Sequence, residues 1–201
     1  MKLYYSPGAC SLSPHIALRE AGIPVELVKA DLQSKNLATG GSLNDVNPKG
    51  YVPALVLDDG QLLTEGPAIV QYIADQKPDS GLAPKAGTLE RYRLQEMLNF
   101  ITSEIHKSFS PLFRKAVPEW QQSAKDNLTK RFDFLAAHLD GKDYLFGPQF
   151  TVADGYLFTT LNWTNFVGFD MGKWPVLQAY MARVAARPKV QEALKAEGLI
   201  K

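Results

Sequence analysis

Cys10 is the single cysteine of the chain, and it stands directly after Ser6-Pro7-Gly8-Ala9 and directly before a run that reads as a helix. A thiol at a helix N-terminus meets the positive end of the helix dipole and unpaired backbone N–H groups, both of which favour thiolate over thiol. A lone cysteine elsewhere is usually an inert small hydrophobe. The Pro-Gly turn and the helix start argue here for a reactive one. Cys10-Ser11-Leu12-Ser13 has the C-x-x-S spacing of a dithiol redox motif without its second sulfur, so any disulfide chemistry has to borrow a thiol from a small molecule.

Other groups could serve the same chemistry. In Gly50-Tyr51-Val52-Pro53-Ala54 the proline cannot donate to a ladder, so Val52-Pro53 is either an edge start or a cis bond in a tight turn. If it is cis, the N–H and C=O of Val52 face outward and can pair with an extended, peptide-like ligand. Leu63-Thr64-Glu65-Gly66-Pro67 opens a helix, where the Gly66 N–H would receive a carboxylate and Glu65 an ammonium. Together they suit an amino-acid head group. Asn99, Ser103, His106 and Ser110 follow at steps of four, three and four, a polar helical stripe. A solvated face is the plain reading, but His106 with Lys107 beside it would supply donors to an anion or thiolate if that face lined a cleft. His15 and His138 read as ordinary surface or core residues. Three scattered histidines and one cysteine show no metal-ligand spacing.

The elements that must position these groups fall into two kinds. Up to residue 76 short β-type runs alternate with helical ones: Lys2 to Tyr5, then a helix from Leu12 to Ala21 that Gly22 ends, a strand at Val25 to Val28, and a loop-like or weakly helical stretch from Leu32 to Leu43. Pro53 to Leu57 follows as a strand, Asp58-Asp59-Gly60 turns into Leu62 to Thr64, and Pro67 sits in the first turn of a helix through Gln76. The order is β-α-β-(α)-β-β-α. From Thr88 the strand pattern disappears. Leu94, Met97, Leu98, Ile101 and Ile105 form one apolar helical stripe, and Ala124, Leu128, Phe132, Leu135 and Leu139 another. Thr151 with Asp154 has the form of a capping box opening a helix to about Phe166, and two more helices, Trp174 to Ala186 and Lys189 to Ala196, break at Arg187-Pro188. The boundary between the halves is expected within residues 77–84, a polar stretch with two prolines and a glycine.

With 201 residues and a formal net charge of +1, the chain can bury a sizeable core and carries no electrostatic footprint for nucleic acid or an anionic bilayer, so the expected partner is small. One cysteine allows no internal disulfide, and the N-terminal apolar run stops at Ser6-Pro7-Gly8, too early for a signal peptide. No apolar run approaches the roughly 20 residues needed to span a membrane. The expected location is the cytoplasm.

A βαβ-ββα half bearing Ser-Pro-Gly-Ala-Cys10, residues Asn47 to Leu55 and Leu63-Thr64-Glu65-Gly66, joined to a helical half with Asn99-Phe100 and Glu104-Ile105-His106-Lys107, resembles the bacterial beta-class glutathione transferases. The likeness runs on through Phe150 to Asp154 and Ala196-Glu197-Gly198-Leu199. It implies a fold of α/β plus all-α type: a thioredoxin-like βαβαββα glutathione-binding domain at 1–80 and a helical bundle at 87–201 that contributes the electrophile site and the contacts of a homodimer. Glutathione would be the co-substrate, with no tightly bound cofactor and no metal.

By the same resemblance Cys10 would face the glutathione sulfur and could form a mixed disulfide with it. Val52, before a cis Pro53, would pair with the cysteinyl backbone, Glu65 and Gly66 would hold the γ-glutamyl amine and carboxylate, and Lys35 would reach the glycyl carboxylate. Asn99, Ser103, Glu104, Ile105 and His106 would form a second wall, His106 near the sulfur, with Tyr5 and Ser11 as further groups able to activate the thiol. Phe109, Phe113, Trp163 and Phe166 are candidates for the apolar wall of the electrophile pocket, though core is the commoner fate of such residues. The implied activity joins the glutathione thiolate to hydrophobic electrophiles, in detoxification or aromatic-compound metabolism. A free thiol of pKa about 8.5 is only a few per cent ionised at pH 7, so the site must favour the thiolate. The alternatives are a glutaredoxin-like thiol transferase cycling through Cys10 and, further off, a non-catalytic binding protein on the same fold.

Overall fold

The computed structural model describes residues 1–201. Four strands, β1 (Lys2–Tyr5), β2 (Glu26–Lys29), β3 (Ala54–Val56) and β4 (Leu62–Thr64), form one sheet in the order β2-β1-β3-β4. β1 runs parallel to β2 and antiparallel to β3, with Leu3 opposite Leu27 on one side and Leu55 on the other. Leu3, Tyr4 and Tyr5 are all buried, so the central strand is covered on both faces. The crossover helix α1 (Leu12–Glu20) ends where Gly22 takes a positive φ of 65°, and it packs against α3 (Gly66–Gln76) and α9 (Pro188–Ala196). This is the thioredoxin-like order read from the sequence.

Of the two readings left open for Leu32 to Leu43, the loop holds: the stretch carries isolated bridges, and Gly40 and Gly41 take φ of 87° and 81°. The helix there, α2 (Leu43–Val46), starts only afterwards, at a reciprocal cap between Ser42 and Asp45. The strand expected from Pro53 to Leu57 is shorter: β3 begins at Ala54, after the proline that has no N–H for the ladder.

The chain divides into two compact units, Met1–Ala83 with Arg187–Lys201, and Pro84–Ala186. The sequence reading ran the helical half to 201. The last helix instead closes on the first unit, where buried Glu197 meets His15 and Arg187 pairs with Glu20 at 2.7 Å.

In the second unit α4 (Leu89–Phe100) is capped by the Thr88 hydroxyl, which accepts from the Arg91 N–H at 3.3 Å. It runs directly into a π-helical turn at Ile101–His106, a 3-10 turn at Lys107–Phe109 and the short α5 (Ser110–Phe113). α6 (Pro118–Leu139), α7 (Val152–Val167) and α8 (Pro175–Ala185) complete the unit. Both apolar stripes expected from the sequence are buried. α7 is the buried centre. Its Asp154 carboxylate accepts from the N–H groups of Thr151 and Leu145, each at 2.9 Å, and from the Tyr180 hydroxyl at 3.0 Å. Burial pushes this carboxyl above the usual carboxylate range, against the pull of those bonds.

Candidate active site

In the first unit Cys10 lies in the turn entering α1, where the Leu12 N–H donates to the Ala9 carbonyl at 3.0 Å. Its thiol donates to the Val52 carbonyl at 3.2 Å. The residue as a whole is half-buried, but its sulfur is desolvated. That burial pushes the thiol up to about 12, beyond the lowering from the Cys10 and Ser11 N–H groups, and the charge of Glu65 adds to the rise. Burial therefore works against the thiolate that the helix start favours, and in this arrangement the Cys10 thiol is a hydrogen-bond donor.

The two neighbouring activators also change character. Ser11 is fully buried, its hydroxyl donating to the Ser6 carbonyl at 3.3 Å and accepting from the Ser6 N–H at 3.1 Å, so it holds the turn. Burial, then the charge of Glu197, raises the Tyr5 phenol, which stays protonated. A second brace was missed by sequence reading. Glu197 accepts from the Gly8 N–H at 2.9 Å and from His15 Nδ1 at 2.9 Å, and Arg19 Nε donates to His15 Nε2 at 3.3 Å. Because Nε2 accepts, Nδ1 carries the ring proton. His15, which read as ordinary, is a buried link to the cysteine turn; nothing local could have paired it with a residue 182 positions away.

The Val52-Pro53 bond is cis. The Val52 N–H meets no acceptor in the protein, and Asn47 holds the turn before it, its amide donating to the Tyr51 carbonyl at 2.7 Å. Gly50 takes a φ of 70° there, and a Cβ would sit 2.8 Å from Asn44 Oδ1. At the start of α3, Glu65 has a φ of 67° and its Oε1 accepts from Lys49 Nζ and from the Tyr51 hydroxyl, each at 2.6 Å. The Glu65 carboxylate raises both the Lys49 ammonium and the Tyr51 phenol, chiefly through those hydrogen bonds. Gly66 supplies a first-turn N–H. Lys35, at a φ of 64°, donates from Nζ to the Gly50 carbonyl at 2.8 Å.

In the second unit the π turn decides which candidates face where. Asn99 and Ser103 are exposed, with the Ser103 hydroxyl donating to the Asn99 carbonyl at 3.0 Å. Glu104 pairs with Arg131 at 2.6 Å. Ile105 is fully buried, so its side chain belongs to the core. His106 does not continue the polar stripe outward: its Nδ1 lies 2.7 Å from the Tyr156 hydroxyl and its ring meets Trp163 edge-on, centroids 4.7 Å apart. Phe109 is fully buried against Trp163, which is itself only 5% exposed, while Phe113 packs on both and stays 47% exposed. Phe166 is 60% exposed. Of the four apolar candidates, Phe109 and Trp163 are thus mainly core, and Phe113 and Phe166 offer surface. No group of three or more His, Cys, Asp or Glu stands together as metal ligands.

Comparison with known proteins gives the same assignment for both units. Residues 8–76 match the glutathione S-transferase N-terminal domain and residues 100–188 the C-terminal domain. The chain is 48% identical over 200 residues to the glutathione S-transferase GstA of Escherichia coli O157:H7, covering 99% of this chain and 100% of that one. A sphingomonad glutathione S-transferase complexed with glutathione is 51% identical at a TM-score of 0.95, covering 100% of both chains. The bacterial beta-class glutathione S-transferase of Sphingomonas chungbukensis is 52% identical at a TM-score of 0.96, again over 100% of both. With its thioredoxin-like and helical units each matched, the chain belongs to the glutathione S-transferase family and is a glutathione transferase of the bacterial beta class.

Proposed function

We propose that the first unit binds glutathione along the Val52 backbone and that Cys10 serves the reaction as a donor to the glutathione sulfur, not as the nucleophile. The unfilled Val52 N–H carries this reading. Arrival of the tripeptide turns the Cys10 S–H from the Val52 carbonyl to the incoming sulfur, which leaves both Val52 groups to the cysteinyl backbone in the manner of strand addition. Gly66 N–H takes the γ-glutamyl carboxylate at a helix N-terminus, and Glu65 takes the ammonium. Lys35 exchanges the Gly50 carbonyl for the glycyl carboxylate.

The helical unit serves the electrophile. His106 is its catalytic group, Phe113 and Phe166 supply apolar surface, and Asn99, Ser103 and Glu104 supply polar groups. The glutathione thiolate attacks an electrophilic carbon of a hydrophobic compound, forming a C–S bond, and the leaving group departs with the electron pair. The cellular role is detoxification or aromatic-compound metabolism in the cytoplasm, with glutathione as co-substrate and no resident cofactor; no helix is long and apolar enough to cross a membrane. The same unit supports a homodimer, through exposed Leu89, Tyr92 and Phe134 and a cavity of about 530 Å³ bordered by Phe100, Phe134 and Phe146. The thiol-transferase reading is weaker, because a thiol at about 12 contributes almost no thiolate near neutrality.

Glutathione-affinity retention and conjugation to an activated aryl chloride test the proposal in wild type and in Cys10→Ala. Both proteins are expected to bind glutathione, and Cys10→Ala to retain conjugation at about a tenth of the wild-type rate, the loss of one good donor hydrogen bond. A Cys10→Ala variant that binds glutathione and conjugates at the full wild-type rate would remove Cys10 from the reaction, and complete loss of conjugation would contradict the part of a single donor bond.

A further inference from the structure

The π turn at Ile101–His106 bonds i to i+5 and winds more slowly than an α-helix, so the side chain at its end departs from the α-helical stripe. His106 ends that turn and meets α7. There its Nδ1 lies 2.7 Å from the hydroxyl of Tyr156, a residue only 2% exposed, and Trp163 packs edge-on to the ring with centroids 4.7 Å apart. Thr102 Oγ1 also lies near the phenol, at 3.4 Å, and donates to the Leu98 carbonyl at 2.8 Å. The contact of the phenol with His106 is the shorter of these two.

We propose that Tyr156 is the positioning residue of the site: its O–H donates to His106 Nδ1, fixes the neutral ring in the Nε2–H tautomer, and so aims a donor nitrogen away from α7. Two constraints meet on one ring. The hydrogen bond sets which nitrogen carries the proton, and the Trp163 edge contact sets the ring plane. Thr102, bound to the last turn of α4, stands beside the same phenol, so the π turn supplies both the ring and a neighbour of its anchor. The inference rests on the role given to His106 above only for its catalytic consequence; the tautomer itself stands on the geometry.

Histidine-selective ¹⁵N spectra of the wild type and Tyr156→Phe test it, together with conjugation kinetics of both, of His106→Ala and of the double variant. Wild-type His106 is expected with Nδ1 unprotonated and Nε2 protonated, and Tyr156→Phe to shift the ring toward a tautomer mixture. A wild-type ring protonated on Nδ1, or a spectrum unchanged in Tyr156→Phe, overturns the inference. In the kinetics, Tyr156→Phe lowers kcat about 3- to 10-fold at unchanged glutathione KM, the range of one hydrogen bond. The double variant is expected to be no slower than His106→Ala. An additive loss in the double variant, or an unchanged kcat for Tyr156→Phe where His106→Ala is impaired, also overturns it. If His106→Ala alone is fully active, the role proposed for His106 fails, and the spectra still decide the anchoring.

Discussion

The two units present their functional groups by different means. The first offers mostly backbone: the Val52 N–H, the Gly66 N–H and a turn at Cys10, each held by a proline, a glycine or a buried hydroxyl. The second offers side chains, His106 and its aromatic neighbours, whose directions depend on the winding of one helix and on what α7 sets opposite. Backbone groups stay in place as long as the turn does. Side-chain groups depend on the whole packed unit, so a single buried defect in α7 should cost the second half more than one brace costs the first.

Asp154→Ala is the hardest blow to that contrast. It removes the acceptor for Thr151, Leu145 and Tyr180 inside the core, and a loss of about 4 kcal/mol is expected in urea unfolding. Glutathione-side binding of whatever remains folded should weaken less than conjugation does, because α7 carries both Tyr156 and Trp163. Equal losses would show that the units do not divide the labour as described. Glu197→Ala strikes the first unit, leaving the Gly8 N–H and His15 Nδ1 without their acceptor, and about 3 kcal/mol should be lost. Here affinity for glutathione, measured by calorimetry, is expected to fall with stability, since the cysteine turn itself loosens.

Asp133→Asn is the mild case. Hydrogen bonds from Lys173 and then the Trp174 indole hold this exposed carboxyl below its usual range. Its contribution is therefore present at neutral pH and above, and is lost as pH falls below the ordinary carboxylate range toward the lowered folded value. Thermal unfolding of the variant should show a small deficit at neutral pH that vanishes in strong acid. A deficit that grows on acidification would reverse the sign of the effect.

The same contrast explains what the sequence disclosed. Gly22, Asp58-Asp59-Gly60, Pro53 and Pro67 punctuate the first unit in residue types with fixed backbone preferences, so its order and the positions of Cys10, Val52, Glu65 and Gly66 were legible. The state of Cys10 was not. A helix-end dipole is worth about 1 kcal/mol, whereas removing water from a charged sulfur costs several, and burial is a tertiary quantity. In the second unit the apolar stripes marked the helices, but a stripe assumes α-helical winding throughout. The π turn breaks that assumption at His106, and Tyr156 lies 50 residues away on an element whose residues are nearly all buried. Glu197 escaped for the same reason, as a carboxylate just past the end of α9 whose partners sit near the start of the chain.

The protonation of Cys10 decides the account most directly. Ultraviolet thiolate absorbance should be followed against pH as the difference between wild type and Cys10→Ala, without glutathione. A flat difference through neutral and mildly alkaline pH, rising only toward a midpoint of about 12, is the expected result. A thiolate step at or below neutrality would contradict it and favour thiol exchange through Cys10 instead.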